Sequence, residues 1–187
     1  SFELSNVELT GTKVNYLDRK LKQDFIFTSK DLLASIDTEN DVYDIQASGE
    51  LTTEKMKVGK SSFLVGKSSL VESKLQYDDL NKSLIINPST LRIKHSSFTV
   101  KGTYDWKKRN LIDIETKGEN TDIQTLISLL PEPVVKKLEK YQSDGDIYFN
   151  AQLKGEISKT KNPSVSASFG FKNATLFHPG YKSRIEE

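Results

Sequence analysis

The sequence predicts a mainly β protein built on an antiparallel sheet with one apolar and one polar face. Apolar and polar residues alternate with period two over most of the chain, which is the pattern of a half-buried strand. Short clusters of turn residues separate these runs, so consecutive strands are expected to pair as hairpins. Composition agrees, because 35% hydrophobic and 28% charged residues suit a sheet wetted on one side better than a single compact core.

The strands of the first half begin at once. Residues 2–9 alternate from Phe2 to Leu9, and two further runs around Val14 and Phe25 flank a polar turn at 18–20. Turn clusters at 38–41 and 78–82 then divide the chain, and Leu91 alternates with its polar neighbours up to residue 94. Each cluster is rich in Asp and Asn, which favour turns. The first half therefore predicts a series of hairpins.

The second half continues the same pattern. Turns are predicted at 106–110 and 143–146, and about ten to twelve strands are expected in the whole chain. Runs in which the apolar residues share one side of a strand include Phe98, Val100 and Tyr104 with Gly102; Ile112 and Ile114; Ile147, Phe149, Ala151 and Leu153; and Val165, Ala167, Phe169 and Phe171.

One segment has helical spacing instead. Ile123, Leu126, Ile127 and Leu130 recur at intervals of three and four, and residues 120–122 supply side chains that can accept from free amides at a helix N-terminus. Pro131 and Pro133 then end this helix and start another, which carries the apolar residues of 134–141. A single helical pair at about 121–142 is predicted to lie over one end of the sheet.

Several functional classes are excluded or disfavoured. The 27 basic and 26 acidic residues are mixed along the chain, so no basic surface for nucleic acid is expected. There is no cysteine, no phosphate-binding glycine loop and no nucleophile elbow. His95 and His178 stand alone in strand-like contexts, and Asp144-Gly145-Asp146 lacks the further oxygen ligands of a calcium loop. We therefore predict a protein that is not an enzyme and needs no cofactor or metal.

The domain organisation is predicted to be simple. Residues 1–187 are interpreted as one β domain and, because residue 1 opens directly into a strand pattern, as an internal part of a longer protein. Residues 2–9 and 169–176 share the pattern Phe, any, apolar, any, Asn, small apolar, any, Leu. This similarity leaves open whether a further repeat begins near residue 168.

The order of these motifs resembles the C-terminal region of AsmA-like envelope proteins, which include those of the TamB type. The resemblance covers nearly the whole chain. It rests on residues 2–9 followed by the Tyr16-Leu17-Asp18 turn, on the Phe98–Tyr104 run with its glycine, and on the segment from Gly118 through Asn120-Thr121-Asp122 to Leu129-Leu130-Pro131, followed by Tyr141, Gly145, Gly155 and Asn162-Pro163.

The resemblance implies a curved sheet, in the form of an open β-groove or half-barrel with an apolar interior. It further implies a periplasmic location, attachment to the inner membrane through a segment outside these residues, and a role in outer-membrane assembly or in moving phospholipid between membranes. Phospholipid or another acyl-chain ligand and adjoining segments of the same polypeptide are then the expected partners. The residues predicted to face lipid are Phe63, Val65, Phe98, Val100, Ile112, Ile114, Phe149, Leu153, Phe169 and Phe171.

A second interpretation stays open at this point. The same alternating residues could form the closed core of a scaffold or protein-interaction domain that binds no lipid. Cationic residues 107–109 beside Trp106 are likewise open to two interpretations, a contact with anionic headgroups or a solvated hairpin tip. The openness of the apolar face distinguishes the two functions, because a closed core has no surface for an acyl chain.

Overall fold

The computed structural model describes residues 2–20, 22–58, 61–62, 64–129, 135–136, 142–177 and 184–186. It is mainly β, as the sequence predicts. The strands are β1 Phe2–Thr10, β2 Lys13–Asp18, β3 Gln23–Glu39, β4 Val42–Val58, β5 Ser61–Ser62, β6 Lys67–Asp78, β7 Ser83–Ile93, β8 Ser96–Asp105, β9 Leu111–Thr121, β10 Gln142–Glu156, β11 Ser164–Phe177 and β12 Arg184–Glu186. One helix, α1, spans Ile123–Ser128.

All the strands in the described part of the chain belong to one antiparallel sheet, which is not closed. The order along the sheet is β1-β3-β4-β6-β7-β8-β9-β10-β11-β12, while β2 pairs with β3 and β5 with β4. Most neighbours in the sheet are therefore neighbours in sequence, joined by the short turns that the Asp- and Asn-rich clusters predict. At about 4.8 Å between strands, the ten strands of this path span roughly 43 Å.

One edge of the sheet is formed by two short strands, β1 and β2, which pair with consecutive parts of β3. β1 pairs with residues 31–38 of β3, and β2 pairs with residues 23–28 of the same strand. At the interruption, Ser29 is buried, its backbone N–H donates to the Thr12 carbonyl at 2.8 Å, and its hydroxyl accepts from the Thr12 N–H at 3.0 Å. These bonds keep both halves of the edge in register across a bulge in β3.

Helix α1 follows β9 directly and covers one end of the sheet. Asp122 is its N-cap, accepting from the Thr125 backbone N–H at 2.7 Å, as the sequence predicts for residues 120–122. Ser96, at the start of β8, donates to the same carboxylate at 3.2 Å. Leu126 of α1 packs with Phe98 and Ile147 in the small buried core at this end.

Two sequence-based predictions need correction here. Residues 143–146 are not a turn: they lie within β10, where a register shift against β11 falls between Asp144 and Asp146. The predicted helical pair begins later than expected, because Thr121 still belongs to β9 and α1 starts at Ile123. Of the second helix, only residues 135–136 are described, and they are helical; the rest of that prediction lies outside the described residues.

Candidate functional site

The pairing register places most apolar side chains on one side of the sheet. Residues directly opposite each other on neighbouring strands point to the same side. Phe98 lies opposite Leu91 on β7 and opposite Gly118 on β9. Applying the same rule from strand to strand in both directions identifies the residues on this side from β1 to β11. We call the resulting surface the apolar face: Phe2, Leu4, Val7, Leu9, Leu32, Ala34, Ile36, Ile45, Ala47, Leu51, Val71, Leu75, Leu84, Ile86, Leu91, Ile93, Phe98, Val100, Tyr104, Ile112, Ile114, Ile147, Phe149, Ala151, Leu153, Val165, Ala167, Phe169 and Phe171.

Most of the apolar face is not covered by the described part of the chain. Of its residues, only Leu32, Ile93, Phe98 and Ile147 are buried. The middle strands carry partly exposed side chains, and the outer strands more exposed ones, with Phe2 58% and Phe169 62% exposed. A closed core would bury these residues. Among the described residues, α1 is the only helix of more than two residues, and it covers only the end around Phe98.

Charge is concentrated on the opposite side of the sheet. Cross-strand ion pairs join Lys101 to Glu115 at 3.0 Å and Lys154 to Asp113 at 2.6 Å, and both pairs lie on the polar side by register. Bonding to Lys154 and Gln152 lowers the pKa of Asp113, and bonding to Lys101 and Lys117 lowers the pKa of Glu115. By the same register rule, two charged residues of the described strands lie on the apolar side instead. They are Asp18, at the end of β2, and Lys67, at the start of β6. The apolar face is therefore almost free of charge.

An aromatic row lies across one end of the apolar face. Tyr43 on β4 lies 5.6 Å from Tyr77 on β6, measured between ring centroids. Trp106, just beyond β8, stacks on Tyr77 at 5.9 Å and on Tyr104 at 5.1 Å. Aromatic contacts of this kind add to the stability gained from burial alone. The row fixes the ends of three strands relative to one another.

The sheet is open, as the sequence and the resemblance predict. Its strands follow one another in a single antiparallel path, in which β2 and β8 are separated by β3, β4, β6 and β7. Tyr104 on β8 is partly buried, and this burial is the main cause that raises its pKa; the charges of Tyr16 and Asp18 raise the pKa further. The large antiparallel, open sheet is thus the architecture observed.

Seven of the ten residues predicted to face lipid lie on the partly or largely exposed part of the apolar face: Val100, Ile112, Ile114, Phe149, Leu153, Phe169 and Phe171. Phe98 is on the same face but is only 1% exposed beneath α1, so it is a core residue. Val65 lies in the turn before β6, outside any strand, so it is not part of the apolar face. Phe63 lies outside the described residues.

The apolar face also extends over the long strands β3 to β7, where no lipid-facing residue was predicted. Ile36, Ile45, Val71, Leu75 and Ile86 continue it across the middle of the sheet. The signal was present, because residues 43–51 alternate between apolar or small residues and the polar series Asp44, Gln46, Ser48 and Glu50. Small residues such as Ala47 and Gly49 on the apolar side weakened it.

Those predicted polar candidates that the structure describes are not gathered into a site. His95 is exposed in the turn between β7 and β8, and His178 lies outside the described residues. Lys107 donates to Asn81 at 2.7 Å, and its backbone N–H donates to Asp105 at 3.0 Å, so it belongs to the packing between two hairpin tips. Among the described residues, the apolar face is therefore the best candidate for a functional surface.

Comparisons with known proteins add no identification. No family model, no curated protein and no solved structure matches the chain. Within the described ranges, no helix has the length and apolar character required to cross a membrane.

Proposed function

We propose that the apolar face binds the acyl chains of phospholipid, and that the chain is a non-catalytic, lipid-handling part of a periplasmic AsmA-like envelope protein. The observation that carries this proposal is the apolar face itself, which is continuous over nine strands, nearly free of charge and largely uncovered by the residues that the structure describes. The assignment to the AsmA-like proteins, the attachment to the inner membrane and the role in outer-membrane maintenance rest on the sequence resemblance alone.

The exposed apolar surface is large enough to need a cover. Soluble monomers rarely expose contiguous apolar patches beyond a few hundred Å². A face that crosses nine strands is roughly 38 Å wide and is therefore larger than such a patch. Burying one methylene contributes about 0.8 kcal/mol, so an acyl chain that buries about twelve methylenes gains on the order of 10 kcal/mol before the entropic costs of binding. Acyl chains are therefore an effective cover.

The distribution of charge favours an acyl chain over a polar ligand. The ion pairs of Glu115 and Asp113 lie on the side away from the apolar face, where water solvates them. A polar ligand on the apolar face would lose its hydration without gaining partners, which costs several kcal/mol for each unpaired group. The face thus selects against headgroups and in favour of chains.

Native mass spectrometry of the purified protein, with extraction of bound lipid, tests the proposal. The decisive variants are Ile86→Glu and Ile85→Glu, which place the same charge at adjacent positions of β7. Ile86 lies on the apolar face opposite Leu75, whereas Ile85 is 38% exposed on the polar side opposite Gln76. We expect co-purifying phospholipid with the parent and with Ile85→Glu, and its loss with Ile86→Glu. Circular dichroism controls for folding.

Two outcomes contradict the proposal. If both variants retain lipid equally, the apolar face is not where lipid binds. If the folded parent carries no lipid and also ignores added phospholipid vesicles, the scaffold interpretation replaces lipid handling. In that case the apolar face has to be covered by protein, and size-exclusion chromatography with light scattering identifies a second copy as the cover.

A further inference from the structure

The first strand of the sheet and its next-to-last strand are built alike. Three residues of β1 have counterparts of the same type in β11: Phe2 matches Phe169, Asn6 matches Asn173, and Leu9 matches Leu176. The residue before each phenylalanine is a serine. The structure adds a property that sequence does not show: Asn6 has φ 55° and Asn173 has φ 49°. Left-handed backbone is uncommon outside glycine, so its recurrence at the matching asparagine is an independent sign of equivalence.

Both strands also have the same environment on one side. The antiparallel order of the sheet gives β1 and β11 the same direction, and Phe2 and Phe169 both lie on the apolar face. Glu8, Leu9 and Thr10 pair with Leu33, Leu32 and Asp31 of β3. The corresponding residues Thr175, Leu176 and Phe177 pair with Glu186, Ile185 and Arg184 of β12. β12 therefore occupies the position relative to β11 that β3 occupies relative to β1.

The two strands differ on their other side. There β11 pairs along almost its whole length with β10, including Phe169 with Phe149 and Phe171 with Ile147. β1 has no described strand on that side, because it begins the sheet order. An unpaired edge presents free N–H and C=O groups to any compatible strand. If β11 is superposed on β1, its partner β10 falls beside the free edge of β1.

We propose that the free edge of β1 is a docking edge for an antiparallel strand of the β10 type, supplied by a preceding repeat of the same polypeptide. In that arrangement Phe2 and Leu4 take the positions of Phe169 and Phe171 and lie opposite an aromatic and an aliphatic residue equivalent to Phe149 and Ile147. The apolar face then continues without a break into the neighbouring repeat. The proposal does not depend on which ligand covers the face.

A fusion protein tests this docking directly. Residues 142–167 are placed immediately before Ser1, so that the added segment reproduces β10, its turn and the first four residues of β11, and then runs into Phe2. The matched control has Ala167 deleted from the added segment. Side chains alternate along a strand, so this one-residue deletion moves the added apolar residues to the polar side.

Amide hydrogen exchange measured by NMR on the folded proteins gives the readout. We expect those β1 amides that exchange rapidly in the parent to slow by about tenfold or more in the fusion, and to remain rapid in the control. Equal exchange in parent and fusion overturns the proposal, and equal slowing in fusion and control overturns the specific register. If the fusion does not fold, a peptide of residues 142–156 added to the parent decides the question, since absence of any shift in β1 resonances rejects docking.

Discussion

Replacing Gly118 by alanine tests the buried end of the sheet. Gly118 lies on β9 opposite both Phe98 of β8 and Phe149 of β10. A Cβ at this position would lie 2.9 Å and 3.0 Å from two ring carbons of Phe98 and 3.0 Å from the Thr121 methyl group. The ring cannot retreat easily, because Phe98 is 1% exposed and packs against Leu126 and Ile147.

The magnitude follows from two opposing effects. Overpacking a well-packed core costs about 1–3 kcal/mol. Replacing glycine by alanine restricts the unfolded chain and returns about 0.4–1 kcal/mol. We therefore expect Gly118→Ala to lower the free energy of unfolding by roughly 0.5–2 kcal/mol, which for a chain of this size corresponds to a fall in melting temperature of about 2–6 °C.

Gly170→Ala provides the matched control in another strand. Gly170 lies on β11 opposite Tyr148, and the nearest atom to an added Cβ would be the Tyr148 Cδ2 at 3.7 Å, an ordinary contact. This variant should be neutral or more stable by up to about 1 kcal/mol. Urea denaturation followed by circular dichroism measures both variants. The packing argument is refuted if Gly118→Ala is as stable as the parent, or if Gly170→Ala loses as much stability as Gly118→Ala.

Two further predictions concern the polar contacts that hold α1 and β10 at this end. Partial burial raises the pKa of Asp122 and is its largest single influence, but hydrogen bonds from Thr125 and Ser96 and the charge of Lys94 outweigh it, so the pKa is lowered overall. The ionised carboxylate therefore stabilises the fold above the ordinary pKa of an aspartate, and this contribution is lost as pH falls through the lowered value. Asp122→Asn keeps a capping side chain and should flatten the decline of melting temperature with acid; an unchanged acid profile contradicts the assignment. Thr121 is 1% exposed, and its hydroxyl donates to the Ile147 carbonyl at 2.6 Å. In urea denaturation, Thr121→Val should lower the free energy of unfolding by about 1–2 kcal/mol, whereas Thr121→Ser, which keeps the hydroxyl, should lower it less. Equal losses of stability would contradict this role of the hydroxyl.

The sequence predicted the two-sided sheet because period-two alternation survives wherever a strand has one wet side. The runs from Phe98 to Tyr104 and from Ile147 to Leu153 were assigned to the correct side, since each alternates without interruption. The capping role at residues 120–122 was also recognisable, because Asp before an apolar helical repeat is a local signal. These features depend only on residues close to each other in the chain.

Other features depend on partners that the local pattern does not reveal. Asp and Gly near residue 145 were interpreted as a turn, yet the same residue types also suit a bulge, and only pairing with β11 distinguishes the two. The burial of Phe98 was missed for a similar reason. Phe98 and Phe169 have the same alternating context, but α1 lies over Phe98 and leaves Phe169 exposed. Period two reports the side on which a residue lies and not what covers it.

The relative sizes of helix and sheet explain why the described residues leave most of the apolar face uncovered. Six residues of α1 extend about 9 Å, which is close to two strand spacings, whereas the ten-strand path spans roughly 43 Å. The described helix can therefore cover the core around Phe98 and little more. The middle strands are not buried, since Ile86 and Ile114 remain partly exposed. A flexible, wholly apolar ligand could cover these strands with no further secondary structure, and an acyl chain has these properties. This difference in size between the described helix and the apolar face is the structural feature that supports the proposed function.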